Sequence, residues 1–102
     1  FNKAIEINPK FYRSFGNRGI AKIKMGNKDS GLKDLNYAIS KGVDLITYKN
    51  WRGYTYLQIN KPKYYCQDFS YTASIGNQYG KDNYKKYCDS TNYQKPWIYM
   101  FS

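Results

Sequence analysis

Two cysteines, six aspartates and one glutamate are the residues of this 102-residue chain best suited to chemistry. What they could do is limited by what is missing. The chain has no histidine, so a His-based triad, a His–Cys dyad and a His-liganded catalytic zinc are excluded. Cys66 and Cys88 supply only half the ligands of a tetrahedral zinc site. Acid–base catalysis would need carboxylates brought together from Asp34, Asp68, Asp82 and Asp89. Asp34 and Asp68 stand at equivalent points of a recurring pattern, which reads as a repeated structural role: a solvated face, or a contact to a neighbouring basic residue. The string from Gly76 to Asp82 has the composition of a phosphate-binding loop. It is one residue short, places Asp82 where Ser or Thr would hold magnesium, and follows a helical stretch rather than a strand. It reads as a turn between helices. With no acid, base and nucleophile together, the chain is expected to be no enzyme, with no cofactor and no metal site.

The elements that carry these residues are helices. Breakers recur at Asn8-Pro9, Gly26-Asn27, Gly42, Asn60-Lys61-Pro62 and Gly76-Asn77. The stretches between them each fit a helix plus a short turn. Leu32, Leu35, Ala38 and Ile39 form one helical stripe; Phe15, Gly19 and Ile23 form a second, and Tyr48, Trp51, Thr55 and Ile59 a third. Hydrophobic residues make up 41% of the chain, inside the globular range, and no run is long enough to span a membrane. The chain opens inside an amphipathic pattern, without an initiator Met or a signal-peptide pattern. A preceding portion is therefore expected, and the missing signal says nothing about compartment.

A shift of 34 residues brings the sequence onto itself. Arg18-Gly19 falls on Arg52-Gly53, and Asp34-Leu35 on Asp68-Phe69. Phe1, Leu35 and Phe69 share a register, as do Ala4, Ala38 and Thr72, and Ile5, Ile39 and Ala73. Gly19 and Gly53 are small where two helices of a hairpin must approach. Leu35 and Phe69 are large where the second helix plugs the space between neighbours, and Ala38 is small where the next unit stacks.

These residues resemble the tetratricopeptide (TPR) repeat family, over residues 1 to about 76. The segment Ala4-Ile5-Glu6-Ile7-Asn8-Pro9 resembles the close of a repeat's second helix. Asn17-Arg18-Gly19-Ile20-Ala21-Lys22, Gly26 and Asp34-Leu35-Asn36-Tyr37-Ala38-Ile39 resemble a full repeat. Trp51-Arg52-Gly53, Asp68-Phe69 and Thr72 resemble another. Cys66-Gln67-Asp68-Phe69, then Gly76-Asn77 and Lys85-Lys86-Tyr87-Cys88, resemble the way such arrays end in bacteria of the Bacteroidetes type. The chain departs from the family at Tyr65, where the preceding repeat has the usual small residue as Gly31. It departs again at Lys22, where a Tyr is usual, and at Val43 and Asn77, where a repeat-closing proline is usual. The resemblance implies an all-α, α-α superhelix of the TPR solenoid type, with a C-terminal capping helix and an extended tail. Residues 1–10 would be a second-helix remnant, 11–44 and 45–77 two repeats, 78–89 the cap, with Tyr84, Tyr87 and Cys88 toward the core, and 90–102 the tail. Such a cap is needed because a terminal repeat otherwise exposes its stacking face.

In that frame Cys66 lies on the second helix of the last repeat and Cys88 near the end of the cap. A disulfide would tie cap to solenoid across about 22 residues and could stabilise by about 3 kcal/mol. It would imply an oxidising compartment such as a bacterial periplasm or the cell exterior. Two separate buried thiols are the alternative.

The family's first helices line a concave binding face. Carried across, its exposed positions are Arg13, Gly16, Ile20, Ile23 and Lys24, then Thr47, Asn50, Tyr54, Leu57 and Gln58. Of these, Arg13, Ile20, Lys24, Thr47, Asn50, Tyr54 and Gln58 are the candidate partner-binding residues. They suit an extended or helical peptide with acidic character, so a non-catalytic protein-interaction scaffold is the expected function. The formal charge of +10 steers anionic partners. A basic, aromatic-rich binder of polyanions is thus one alternative, but the cations are scattered and no nucleic-acid motif appears, which argues against nucleic acid. A structural subunit of a larger assembly is the other. In the tail, Trp97, Ile98, Tyr99 and Phe101 belong to an apolar run that either folds back on the last helices or docks on another chain.

Overall fold

The structure is a computed structural model and describes residues 8–89. These residues form an all-α chain of five helices: α1 Pro9–Lys24, α2 Lys28–Ser40, α3 Leu45–Gln58, α4 Pro62–Ser74 and α5 Gln78–Tyr87. Proline opens α1 and α4, where its missing N–H costs nothing and its fixed φ suits the first turn. The ends are equally regular. Gly26, Gly42 and Gly76 take the left-handed conformation (φ +89°, +76° and +89°), and Asn60 takes it at φ 59°. At each, the next residue's N–H reaches back a full turn: Asn27 to Lys22, Val43 to Ala38, Lys61 to Tyr56 and Asn77 to Thr72. This Schellman closure satisfies carbonyls that a helix end leaves open. The expected breakers are therefore the observed ones.

Consecutive helices pack on each other, and α1 also meets α3. Gly19 stands where α1 crosses α2; a Cβ there would lie 2.7 Å from the Gly31 carbonyl oxygen. At the equivalent crossing of α3 and α4, a Cβ on Gly53 would meet the Phe69 ring at 2.9 Å. Tyr65 stands in place of Gly31. Backbone comes nearest in the first pair, whereas in the second the nearest group is the Phe69 ring. Leu35, Ala38, Phe69 and Thr72 are all fully buried, as their register predicts. The buried hydrophobic residues fall in two clusters. One joins Tyr12, Ile23, Leu35, Ala38, Val43 and Tyr48; the other joins Tyr65, Phe69 and Cys88.

Asp34 and Asp68 are buried, which removes the solvated-face option. Arg18 donates from Nε and Nη2 to the two Asp34 oxygens at 2.7 and 2.8 Å. Arg52 grips Asp68 with the same two nitrogens at 2.9 and 2.7 Å. The pair recurs with both its members displaced by 34 residues. Lys22 uses its amine on Ser30 at 2.7 Å and on Asp34 at 3.0 Å.

Cys66 and Cys88 are joined in a disulfide, with their Cα atoms 5.6 Å apart. Tyr87 packs on the second cluster. Tyr84, expected inward with Tyr87 and Cys88, is exposed instead. Among the described residues α5 packs chiefly on α4, and the Tyr84 ring stays on its exposed side.

Candidate binding groove

The groove is set by the rotation of α3. Tyr48 is 1% exposed, and its ring fills the space beside Gly16, where a Cβ would collide with it. Its hydroxyl donates to the Arg13 carbonyl at 3.1 Å and the Asn17 side-chain oxygen at 2.9 Å. With Tyr48 locked against α1, Thr47, Asn50, Trp51 and Tyr54 fall on one outward stripe, at i, i+3, i+4 and i+7.

The far wall comes from α5. Asn77 caps it, accepting from the Gly80 N–H at 2.9 Å. The same Asn77 oxygen accepts from the Asn50 amide at 2.9 Å, and the Asn50 oxygen accepts from the Thr72 hydroxyl at 2.8 Å. Gly80 sits against Thr72 and the Ala73 backbone, too close for any side chain. These contacts bring Tyr79 opposite α3. The result is a cleft of about 460 Å³ lined by Ile46, Thr47, Asn50, Trp51, Tyr54, Asn77 and Tyr79. Trp51 and Tyr54 meet edge to face at 5.5 Å, and the Lys24 ammonium stands 5.5 Å from the Trp51 ring centre. Burial pushes the Tyr79 phenol above its ordinary pKa, with Tyr54 and Tyr87 adding to the shift, so it stays a neutral donor at neutral pH. The cleft combines aromatic walls, a few hydrogen-bonding groups, one flanking cation and no carboxylate.

Three of the candidate residues, Thr47, Asn50 and Tyr54, line this cleft. Asn50 spends half its capacity inside the fold, leaving one N–H and one lone pair. Gln58 lies beyond the cleft and donates to the Tyr54 hydroxyl at 2.9 Å. Lys24 flanks it through Trp51. Arg13 is turned away and pairs with Asp44 at 2.9 Å. Ile20 packs against the first core cluster. Gly16 and Ile23, expected on the open face, are buried, because Tyr48 covers one and the first core takes the other. Leu57 packs against the second cluster.

Ile46, Trp51, Asn77 and Tyr79 also line the cleft but lie outside the candidate set. Trp51 carries a signal, since it shares a helical stripe with Tyr48, but that stripe reads as core. It is half-buried and serves both roles. Asn77 and Tyr79 belong to the string that reads as an inter-helix turn, and nothing in their own spacing says that they face α3.

A second, open cleft of about 470 Å³ lies at α4 and α5, lined by Lys63, Cys66, Gln67, Ser70, Tyr71 and Tyr84. Among the described residues no group of His, Cys, Asp or Glu could hold a metal ion, and no helix is long and apolar enough to cross a membrane. Trp97, Ile98, Tyr99 and Phe101 lie outside the described residues, as do residues 1–7 of the expected 1–10 remnant, whose Pro9 and Lys10 instead begin α1. Comparison of the chain with protein-family models, with curated proteins and with solved structures finds no match.

Proposed function

We propose that this chain is a stretch of TPR-type solenoid and acts as a non-catalytic protein-interaction scaffold, holding a peptide segment of a partner along the face of α1 and α3. The observation that carries this reading is the aromatic cleft beside α3, with Thr47, Asn50 and Tyr54 among its lining residues. The recurrence of the Arg18–Asp34 pair as Arg52–Asp68 supports the repeat assignment. An apolar side chain of the partner lies between Trp51, Tyr54 and Tyr79, its backbone meets the spare capacity of Asn50, and Lys24 favours a nearby carboxylate. The net charge of +10 speeds encounter with acidic partners and makes it salt-sensitive. The bridged cysteines fit an oxidising compartment, periplasmic or extracellular.

One observation favours polyanion binding instead. Lys41 stands over Tyr12 and Tyr37, and Lys49 over Tyr71, pairings of the kind that single-strand nucleic-acid grooves use. They lie outside the cleft, which places them second. The test is a photoreactive aromatic at position 54, used to capture partners from the native source at two salt concentrations, with and without nuclease. A defined protein, crosslinked at position 54 and surviving nuclease and moderate salt, is the expected result. Loss of all capture with nuclease or modest salt would overturn the scaffold reading in favour of polyanion binding.

A further inference from the structure

We propose that the partner segment held in the groove beside α3 is proline-rich: about four residues in the polyproline II conformation, which offer carbonyl oxygens to the groove and bring no N–H of their own. This inference rests on the scaffold reading above and names the class of segment that the groove takes.

The starting point is a donor that has no choice. The Gly80 N–H can only donate, and the Asn77 side-chain oxygen receives it at 2.9 Å. The Asn77 amide nitrogen is therefore the free end of that side chain. The same oxygen also receives the Asn50 amide at 2.9 Å, which fills both its lone pairs. With its nitrogen so engaged, Asn50 turns its own oxygen to the Thr72 hydroxyl at 2.8 Å.

What this network leaves over is unequal. Among the described residues, Asn77 keeps both its N–H groups, Asn50 keeps one, and the Trp51 indole N–H has no partner. The two asparagine oxygens together keep a single lone pair, on Asn50. The hydroxyls of Thr47, Tyr54 and Tyr79 can act either way. No carboxylate lines the cleft, and the Lys24 ammonium flanks it, 5.5 Å from the centre of the Trp51 ring. The groove is rich in donors and poor in acceptors.

Segments differ in what they bring to such a surface. A helix already uses its backbone groups within itself, so its docking would leave the N–H groups of the groove unanswered. An ordinary extended segment brings an N–H with every carbonyl, and each needs an acceptor that the asparagines have largely committed. Proline brings a carbonyl and no N–H. A run of prolines holds the polyproline II form without internal hydrogen bonds, so its carbonyls are all on offer and little entropy is lost on docking.

The walls complete the match. Trp51 and Tyr54 meet edge to face at 5.5 Å, Tyr79 lines the opposite side, and aromatic-lined grooves are the surfaces on which proline runs dock. The α3 side of the groove extends from Ile46 to Tyr54, about 12 Å of helix axis. At about 3.1 Å per residue, that length holds about four residues of polyproline II. An acidic residue beside the run would meet Lys24.

The test is isothermal calorimetry on the full oxidised chain with two neutral, end-blocked probes of equal length, decaproline and a glycine–serine peptide. The expected result is saturable binding of decaproline, at least about tenfold tighter than that of the glycine–serine peptide. Asn77→Asp keeps an oxygen to cap α5 but replaces the free amide nitrogen with an acceptor. It should weaken decaproline binding about tenfold, the loss of one hydrogen bond, while hydrogen exchange shows α5 intact. If that variant loses α5, Tyr79→Phe takes its place; it keeps the ring, removes a donor and should weaken binding several-fold. Absence of saturable binding, equal affinity for the two probes, or undiminished affinity in the variant that keeps α5 overturns the inference.

The photoreactive residue at position 54 separates this inference from the scaffold reading. A partner crosslinked through a proline run supports both. A partner crosslinked through a proline-free segment overturns the proline assignment and leaves the scaffold standing. A crosslink to the chain's own residues 96–101 that decaproline does not displace overturns it as well, and makes the tail the occupant. Decaproline binding with no partner captured supports the groove chemistry and counts against the scaffold.

Discussion

Replacing Arg52 by alanine should be far more damaging than replacing its repeat equivalent Arg18, and the reason lies in the surroundings of two otherwise matched ion pairs. Asp68 is 3% exposed at its side chain and Arg52 21%, whereas Arg18 is 56% exposed against an 8% exposed Asp34. Arg52 also donates to Asn36 at 3.0 Å, tying α3 to α2. Removing it strands a buried carboxylate on which Lys49 acts through charge alone, without a hydrogen bond. Breaking a buried pair from one side costs about 3–5 kcal/mol. At about 4–8 °C per kcal/mol for a chain of this size, Arg52→Ala should melt at least about 12 °C below the parent. Arg18→Ala leaves Asp34 with Lys22 at 3.0 Å and loses only a guanidinium already in water, so its loss should be clearly smaller. Thermal and urea melts followed by circular dichroism measure both. A volume-matched Arg52→Met, Asp68→Leu double variant should recover most of the loss, since it leaves no charge unpaired. Equal melting shifts for the two single variants would refute the reasoning, and so would a double variant no better than Arg52→Ala.

Gly16→Ala should destabilise by about 1–3 kcal/mol, because the added Cβ meets the Tyr48 ring and that ring is pinned by two hydrogen bonds; a urea melt decides it, and a gain in stability would mean the ring can yield. Asn77→Ala should cost about 1–2 kcal/mol by removing the α5 cap, with the added exchange confined to residues 77–88. The hydrogen bonds from Arg18, with those from Lys22, hold the Asp34 carboxyl below its usual range; its contribution is therefore present above the ordinary carboxylate pKa of about 4 and lost as pH falls through the lowered value. Burial pushes the Asp68 carboxyl up against the pull of Arg52, so its contribution runs the other way, declining as pH rises from about 4 through the raised value. Urea melts of Asp34→Asn and Asp68→Asn against the parent from acid to neutral pH should show gaps of opposite slope.

Much of the helical framework is legible in the sequence because its constraints are local. Gly26, Gly42 and Gly76 stand where a left-handed residue must close a helix, and such positions exclude most other side chains. Leu35 and Phe69, or Ala38 and Thr72, repeat because each unit must fill and stack on the same space. Asn60 is the one turn where glycine is replaced, and asparagine is the residue that best tolerates the substitution. The acid pair is legible only halfway. The 34-residue spacing marks Asp34 and Asp68 as equivalent, but a period cannot say whether an equivalent position is wet or dry.

The groove is harder to read because it is made by elements that approach from different places in the chain. Thr47, Asn50 and Tyr54 follow from the helical period of α3 once one knows which side is open. Arg13 belongs by period to the same face, yet Asp44, a left-handed residue at φ 42°, reaches it across 31 residues and takes its charge. Asn77 and Tyr79 enter only because Gly80 lets α5 settle onto Thr72. A glycine in the first turn of a helix has no pattern of its own; it acquires meaning from the partner that occupies the missing side chain's place. The two groove walls differ in the same way. α3 is turned by the Tyr48 ring inserted at Gly16, whereas α5 is placed by Gly80 on Thr72, by Tyr87 against the second core cluster and by the disulfide past its end. Neither placement is written in the spacing of the groove residues themselves, because each depends on a residue that the groove does not contain.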